Sequence, residues 1–319
     1  MINENHSKTD TTMSNYEFQM KNLRERIEGL SWIYDKLDKP IVSSDWEAMK
    51  KYSGMGLSKS SLDRVNRSME HYFGPKGVET PAMKIGTAFH TLVLEVESFD
   101  SRYFLAPKAD LRTAEGKKKV KDAEAENEGK IPLNPKDWDM IHQMAESVRS
   151  HPLATDLLSY GEAEQTLMWN DRESGALMKG RTDWINHELR TVVDLKSTQD
   201  ASQDKLERDI WSTDYRYNVQ ASIYTDGVRE IFGTDSWEFH FIFVEKKQPF
   251  GVQIMHIDPK GLEVGGLQYR KNIESVINWV NLAEDALSKN KPLFAGYSED
   301  SIRSVPPAWL VQKIMGKRR

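Results

Sequence analysis

The sequence contains no cysteine, which excludes disulfide scaffolds, thiol nucleophiles and Cys-ligated zinc or iron–sulfur centres. Any bound metal must therefore sit on oxygen or imidazole. Long apolar runs are also missing: the stretch Phe239 to Val244 is broken by His240 and falls far short of the ~20 residues that a bilayer span needs. The opening segment, Met1 to Ser14, is polar and has no apolar signal core, so the expectation is a cytoplasmic chain with no membrane partner. An excess of basic charge is absent too, with 44 Lys plus Arg against 49 Asp plus Glu and a net charge of −5. That balance excludes a surface uniformly coated in positive charge for indiscriminate nucleic-acid binding, and leaves room for a local basic groove.

What is present suffices for a packed core. With 38% hydrophobic residues and 9 Trp, 11 Tyr and 11 Phe in 319 residues, the chain reads as globular rather than disordered. Residues 1–16 have no apolar periodicity and are expected to form a mobile tail. Leu23, Ile27, Leu30 and Ile33 then fall on one face of a helix predicted over Tyr16 to Leu37. Helices are predicted over Leu62 to Phe73 behind a serine cap, Met83 to Val96, Pro135 to His151, Tyr217 to Ile231 and Gly261 to Lys289. The segment from Lys108 to Lys130, with Lys117, Lys118 and Lys119, reads as a solvated helix or flap. Short β-branched and aromatic runs at Ala163 to Trp169, Ala176 to Ile185, Thr191 to Ser197, Trp237 to Glu245 and Val252 to Ile257 read as strands. The order predicts an α/β or α+β fold, a mixed central sheet of about five strands flanked by helices, with a helical N-terminal part.

The informative stretch runs from Lys179 to Lys196. If its two strands pair across a turn centred on Glu188 and Leu189, Asp183 faces Asp194 directly, and Lys196 shares that face about 6–7 Å further along the strand. Opposed carboxylates repel unless something compensates them, and a divalent cation does so. Hard oxygen ligands without thiolates select Mg²⁺, with Mn²⁺ as a substitute. Such an ion polarises a phosphodiester and activates water, and Lys196 would stabilise developing charge or take the proton. A surface hairpin carrying two Asp and a Lys is the competing reading. Glu164 on the preceding strand can add a third acid, His90 stands on an otherwise apolar helix, and Gln220 and Tyr224 share one helix face.

These residues carry a resemblance. Gly86-Thr-Ala-Phe-His90, Ala163-Glu164, Arg181-Thr-Asp183, Val192-Val-Asp194-Leu-Lys196-Ser-Thr and Tyr215-Arg-Tyr-Asn-Val-Gln220-Ala-Ser-Ile-Tyr224, preceded by Gly56-Leu-Ser-Lys-Ser-Ser-Leu-Asp63, resemble the RecE-type exonuclease domain. That domain is a branch of the PD-(D/E)xK superfamily, akin to RecB-type and lambda exonuclease domains, and the likeness runs from about Val42 to Ala308. The resemblance implies a single nuclease domain over 17–319. Within it lie a helical part (17–160), a sheet core with the catalytic motifs (161–290) and a C-terminal extension (291–319). It implies that His90, Asp183, Asp194 and the Leu195 backbone carbonyl hold the metal, that Glu164 assists and that Lys196 is the catalytic lysine. Gln220 and Tyr224 match the Gln-x-x-x-Tyr element that supports the site and contacts DNA. Ser58, Ser60 and Arg112 stand where related enzymes receive a 5′-phosphate.

The implied activity is a 5′–3′ exodeoxyribonuclease on linear double-stranded DNA that leaves 3′ single-stranded tails for recombination. The implied partners are DNA ends, a single-strand annealing protein and further copies of the chain in a tetrameric or trimeric ring. The lack of a large N-terminal extension fits a phage or prophage nuclease. A structure- or sequence-specific endonuclease, and a non-catalytic DNA-binding recombination accessory, remain open alternatives at this point.

Overall fold

The computed structural model describes residues 14–45, 49–234 and 236–293. Most of the expected N-terminal tail (residues 1–13) and of the C-terminal extension (294–319) lies outside them. Residues 14–16, assigned from sequence to the tail, instead start a helix: Ser14 and Glu17 form a reciprocal capping box on α1 (Asn15–Glu28). This helix stops well short of Leu37, because the chain tightens into a single 3-10 turn over Ser31–Tyr34 that buries Trp32 and Ile33. The predicted helix over Leu62 to Phe73 is two helices, α2 (Lys59–Arg67) and α3 (Met69–Phe73). Ser68 takes extended backbone between them and caps the second through the His71 N–H, an example of serine competing for backbone hydrogen bonds.

Next come α4 (Pro81–Leu94), α5 (Val96–Arg102), α6 (Ala114–Glu126), α7 (Pro135–Ser150) and α8 (Pro152–Leu157). The last three are α9 (Gln203–Ile210), α10 (Tyr217–Phe232) and α11 (Pro259–Ser288). Gly265 lets α11 approach α10, since a Cβ there would lie 2.4 Å from the Asn218 carbonyl oxygen. No described helix is long and apolar enough to cross a membrane.

The strands are β1 (Ile41–Ser43), β2 (Tyr103–Leu105), β3 (Ile131–Leu133), β4 (Gly161–Asn170), β5 (Leu177–Asn186), β6 (Thr191–Thr198), β7 (Glu238–Glu245) and β8 (Val252–His256). Strands β2 and β3 form a small parallel pair. The main sheet has the order β1-β4-β5-β6-β7-β8, the five expected strands plus the short edge strand β1. All neighbours are antiparallel except β6 and β7, which α9 and α10 connect as a crossover. The parallel pair is covered on both faces, and its residues are correspondingly apolar. Phe239, Phe241 and Phe243 join the core built with α10 and α11, while Val193, Leu195, Ile242 and Val244 join the one built with α4 and α7.

The pairing of β5 with β6 is the irregular feature. It has the register expected from the turn, but only Trp184↔Val193, Ile185↔Val192 and Asn186↔Thr191 pair before the strands part. On either side β4 still pairs with β5, and β6 with β7, along nearly their whole lengths. The sheet is therefore forked at Asp183 and Asp194.

Candidate active site

Asp183 occupies the crotch of the fork. Its Oδ2 accepts the Leu195 N–H at 2.8 Å, so a carboxylate does the work of the missing backbone acceptor. Its other neighbour, Glu164, is left out of the β4–β5 ladder: Ala163↔Trp184 and Gln165↔Thr182 pair, and the position between them does not. Glu164 has left-handed backbone, φ 53°, a conformation that an L side chain adopts at a cost and that clusters at functional sites. His90 arrives from α4, an amphipathic helix started by Thr80 and Pro81 that buries Ala88, Phe89 and Leu92 and leaves the imidazole at the fork. Its Nδ1 lies 3.5 Å from Asp183 Oδ2. Ligand atoms of His90, Glu164 and Asp183 all fall within 4.8 Å of one another.

Asp194 is fully buried beside this trio, with Gln220 Nε2 donating to Oδ1 and the Lys196 amine against Oδ2. Burial pushes its carboxyl up to about 6; Lys196 and His90 pull the other way, and Asp183 adds to the rise. Glu164 is raised as well, first by burial and then by Asp183, although Arg181 Nε contacts it at 2.7 Å. For Lys196, burial disfavours the charged form, but the Asp194 and Asp183 carboxylates outweigh it and hold the amine above its usual range. The ammonium also lies 5.6 Å from the Tyr217 ring centre and 5.8 Å from that of Phe241, a cation–π setting that again favours the charge. Lys196 is therefore protonated in this arrangement.

Gln220 and Tyr224 come from one face of α10, as their spacing predicted. Gln220 fixes Asp194, whereas Tyr224 lies over Gly180, where a Cβ would come within 2.7 Å of the ring. Both border a cavity of about 540 Å³ that opens beside the fork. Ser58, Lys59, Ser60, Lys76, Lys179 and Arg181 contribute to its wall, and no carboxylate lines it among the described residues. Ser58 also caps α2, with Ser61 completing the capping box, so capping and cavity lining coexist in one residue. Arg112 is elsewhere: it pairs with Asp110 on an exposed loop and does not line this cavity. Helix α6 is likewise solvated, with Lys118 paired to Asp122. The wall residues Lys59, Lys179 and Arg181 were not singled out from the sequence. Lys179, Arg181 and Asp183 alternate along β5, and that period-2 spacing is the signal that would have found two of them.

The donor set suits a hard divalent cation: carboxylates and one imidazole, no sulfur, an Asp194 Oδ2 that makes no regular hydrogen bond, and mutual repulsion that an ion would relieve. A forked mixed sheet carrying clustered acids and a lysine two residues after one of them defines a nuclease-type site of the PD-(D/E)xK class. Residues 58–288 match the model of the PDDEXK-like domain of unknown function (DUF3799), and the chain belongs to that family. A crystal structure of a Eubacterium rectale protein provisionally named an exonuclease is similar at 13% identity and a TM-score of 0.48, over 86% of this chain and 98% of that one. No curated protein gives a significant match.

Proposed function

We propose that the protein is a Mg²⁺-dependent exodeoxyribonuclease that degrades one strand of linear duplex DNA from 5′ to 3′ and leaves 3′ single-stranded tails. The observation that carries this reading is the convergence of His90, Glu164 and Asp183 beside the buried Asp194–Lys196 pair, next to a cavity lined by Lys59, Lys76, Lys179 and Arg181. His90, Glu164, Asp183 and Asp194, with the Leu195 carbonyl, would hold the ion; Mn²⁺ would substitute. When bound, the ion supplies Lewis-acid polarisation of the scissile phosphodiester and a lowered pKa for a water nucleophile.

The chain's own residues do the rest. The Lys196 ammonium stabilises charge developing on the phosphate oxygens, and because its proton is held firmly we assign it this role and not that of a base. Gln220 keeps Asp194 oriented. Ser58 and Ser60, flanked by Lys59 and Lys179, present hydroxyls and ammonium groups to a terminal 5′-phosphate. Tyr224, which borders the same cavity, would contact the adjoining nucleotide.

In this reading several copies close into a ring that retains the duplex between cuts, and a single-strand annealing protein receives the tail. The test is hydrolysis of 5′-phosphorylated linear duplex with strand-specific labels, with and without Mg²⁺, alongside supercoiled circles. Loss of the 5′-ended strand from linear DNA only, and only with the ion, is expected. Nicking of supercoiled circles would replace the exonuclease by an endonuclease on the same site. Hydrolysis unchanged by Asp183→Asn and Lys196→Met would remove the site assignment altogether.

A further inference from the structure

A second group of ligating side chains lies on β7 and the edge strand β8. Glu238 and His240 are two residues apart on β7 and so share a face, and His256 is the direct cross-strand partner of His240 on the edge strand β8. The two imidazoles stack with ring centres 4.7 Å apart and planes 21° apart. His256 Nε2 is 4.0 Å from a Glu238 carboxylate oxygen, and one ligand atom from each residue falls within 4.8 Å of the other two. We propose that Glu238, His240 and His256 form a binding site for a borderline transition-metal ion, Zn²⁺ in the first place, that clips the edge strand β8 to β7.

Ligand chemistry separates this site from the one at the fork. Two imidazoles and one carboxylate suit Zn²⁺, Ni²⁺ or Co²⁺, whereas the acid-rich fork suits Mg²⁺. The trio is also placed without dependence on loops, because the antiparallel register fixes His240 against His256 and strand alternation fixes Glu238. Histidines in a purely structural role are normally anchored by a hydrogen bond, but the buried Nδ1 of the part-buried His240 has no partner among the described residues. Burial and the neighbouring His256 push the His240 imidazole down to about 4, against a smaller opposing effect of Glu238. Glu238 and His256 are solvent-exposed, which leaves an entry path and room for water to complete the coordination.

The experiment is zinc stoichiometry and affinity on the full chain in excess Mg²⁺, by metal analysis after gel filtration and by calorimetry. His256→Ala should bind one Zn²⁺ fewer per chain than the unaltered protein. Glu238→Gln, which keeps the shape of an exposed side chain, should weaken that zinc by about tenfold or more. The zinc-dependent rise in melting temperature should shrink in both variants. Equal zinc count and affinity in the unaltered protein and both variants would overturn the proposal, as would no zinc retained in excess Mg²⁺. Because the fork is untouched in these variants, neither outcome depends on whether the nuclease reading holds.

Discussion

Replacing Glu164 by glycine and, separately, by glutamine isolates the strain stored at the fork. Glutamine removes the charge and keeps the left-handed backbone at φ 53°. It relieves repulsion from Asp183 but gives up the 2.7 Å charged contact with Arg181, and at these partly exposed side chains the two effects are each roughly 1 kcal/mol or less and opposed. Glycine makes the same electrostatic change and also removes the left-handed penalty, roughly 1–2 kcal/mol for an L residue. Against this stands glycine's larger loss of backbone entropy on folding, roughly 0.5–1 kcal/mol. The glycine variant should therefore be more stable than the glutamine variant by about 0.5–1 kcal/mol, a shift of about 1–2 °C for a chain of 319 residues. Urea denaturation without metal gives the comparison. Both variants should lose DNA hydrolysis by about a hundredfold or more, since each removes a proposed metal ligand. A glycine variant less stable than the glutamine variant by about 0.5–1 kcal/mol, the entropy cost alone, would mean that no strain is stored at this position. Full activity in either would take Glu164 out of the machinery.

Lys196→Met strips Asp194 of its cationic partner in a fully buried setting and should cost about 3–5 kcal/mol in urea denaturation at neutral pH. Asp194→Asn combined with Lys196→Met should recover much of that stability while hydrolysis of linear duplex stays lost. For pH, the Asp194 carboxyl is raised to about 6, so its ionisation is disfavoured by folding. The stability it contributes is full below its unfolded pKa, near 4, and is lost as pH rises through about 6, a change on the order of 3 kcal/mol. Metal-free protein should accordingly lose stability across that window relative to Asp194→Asn, and parallel pH profiles of the two would contradict the shift. Gly180→Ala places a methyl 2.7 Å from the Tyr224 ring and should cost about 1–3 kcal/mol. Displacing that ring towards the cavity should raise KM for 5′-phosphorylated duplex more than it lowers kcat.

Strands β4, β5 and β6 were legible to within a residue or two because alternation and turn residues are local signals. The register that sets Asp183 near Asp194 followed from the same turn. The fork was not legible, because parting of the strands depends on a side chain from one strand satisfying an amide on the next. Nor was the left-handed Glu164, since nothing in Ala163-Glu164-Gln165 marks a backbone conformation usually reserved for glycine. Strand β1 is only three residues long and cannot display a period. Helical spacing placed Gln220 and Tyr224 on one face, yet their different targets, Asp194 and Gly180, are set by tertiary packing. Lys59 reaches the cavity from a segment far away in sequence, where it also pairs with Asp63 and donates to the Tyr215 carbonyl.

The fork explains how acids that repel one another can be held in place without an ion. In a regular ladder Asp183 and Asp194 would be set by backbone pairing alone, and repulsion would be relieved by letting those pairs slip. Here each wall is braced from outside, β5 by nine paired positions with β4 and β6 by eight with β7. The opening between the walls is bridged by Asp183 itself, through the Leu195 amide. Gln220 and Lys196 clamp Asp194 from the α10 side, while His90 closes on Asp183 from α4, across the sheet. Electrostatic strain therefore cannot be discharged by moving the backbone. It adds instead to burial, the larger cause, in raising the carboxyl pKa values of Glu164 and Asp194, and it favours positive charge at the site. A site preorganised in this way needs little rearrangement when charge arrives or develops, which is the condition under which fixed dipoles and charges lower a barrier most.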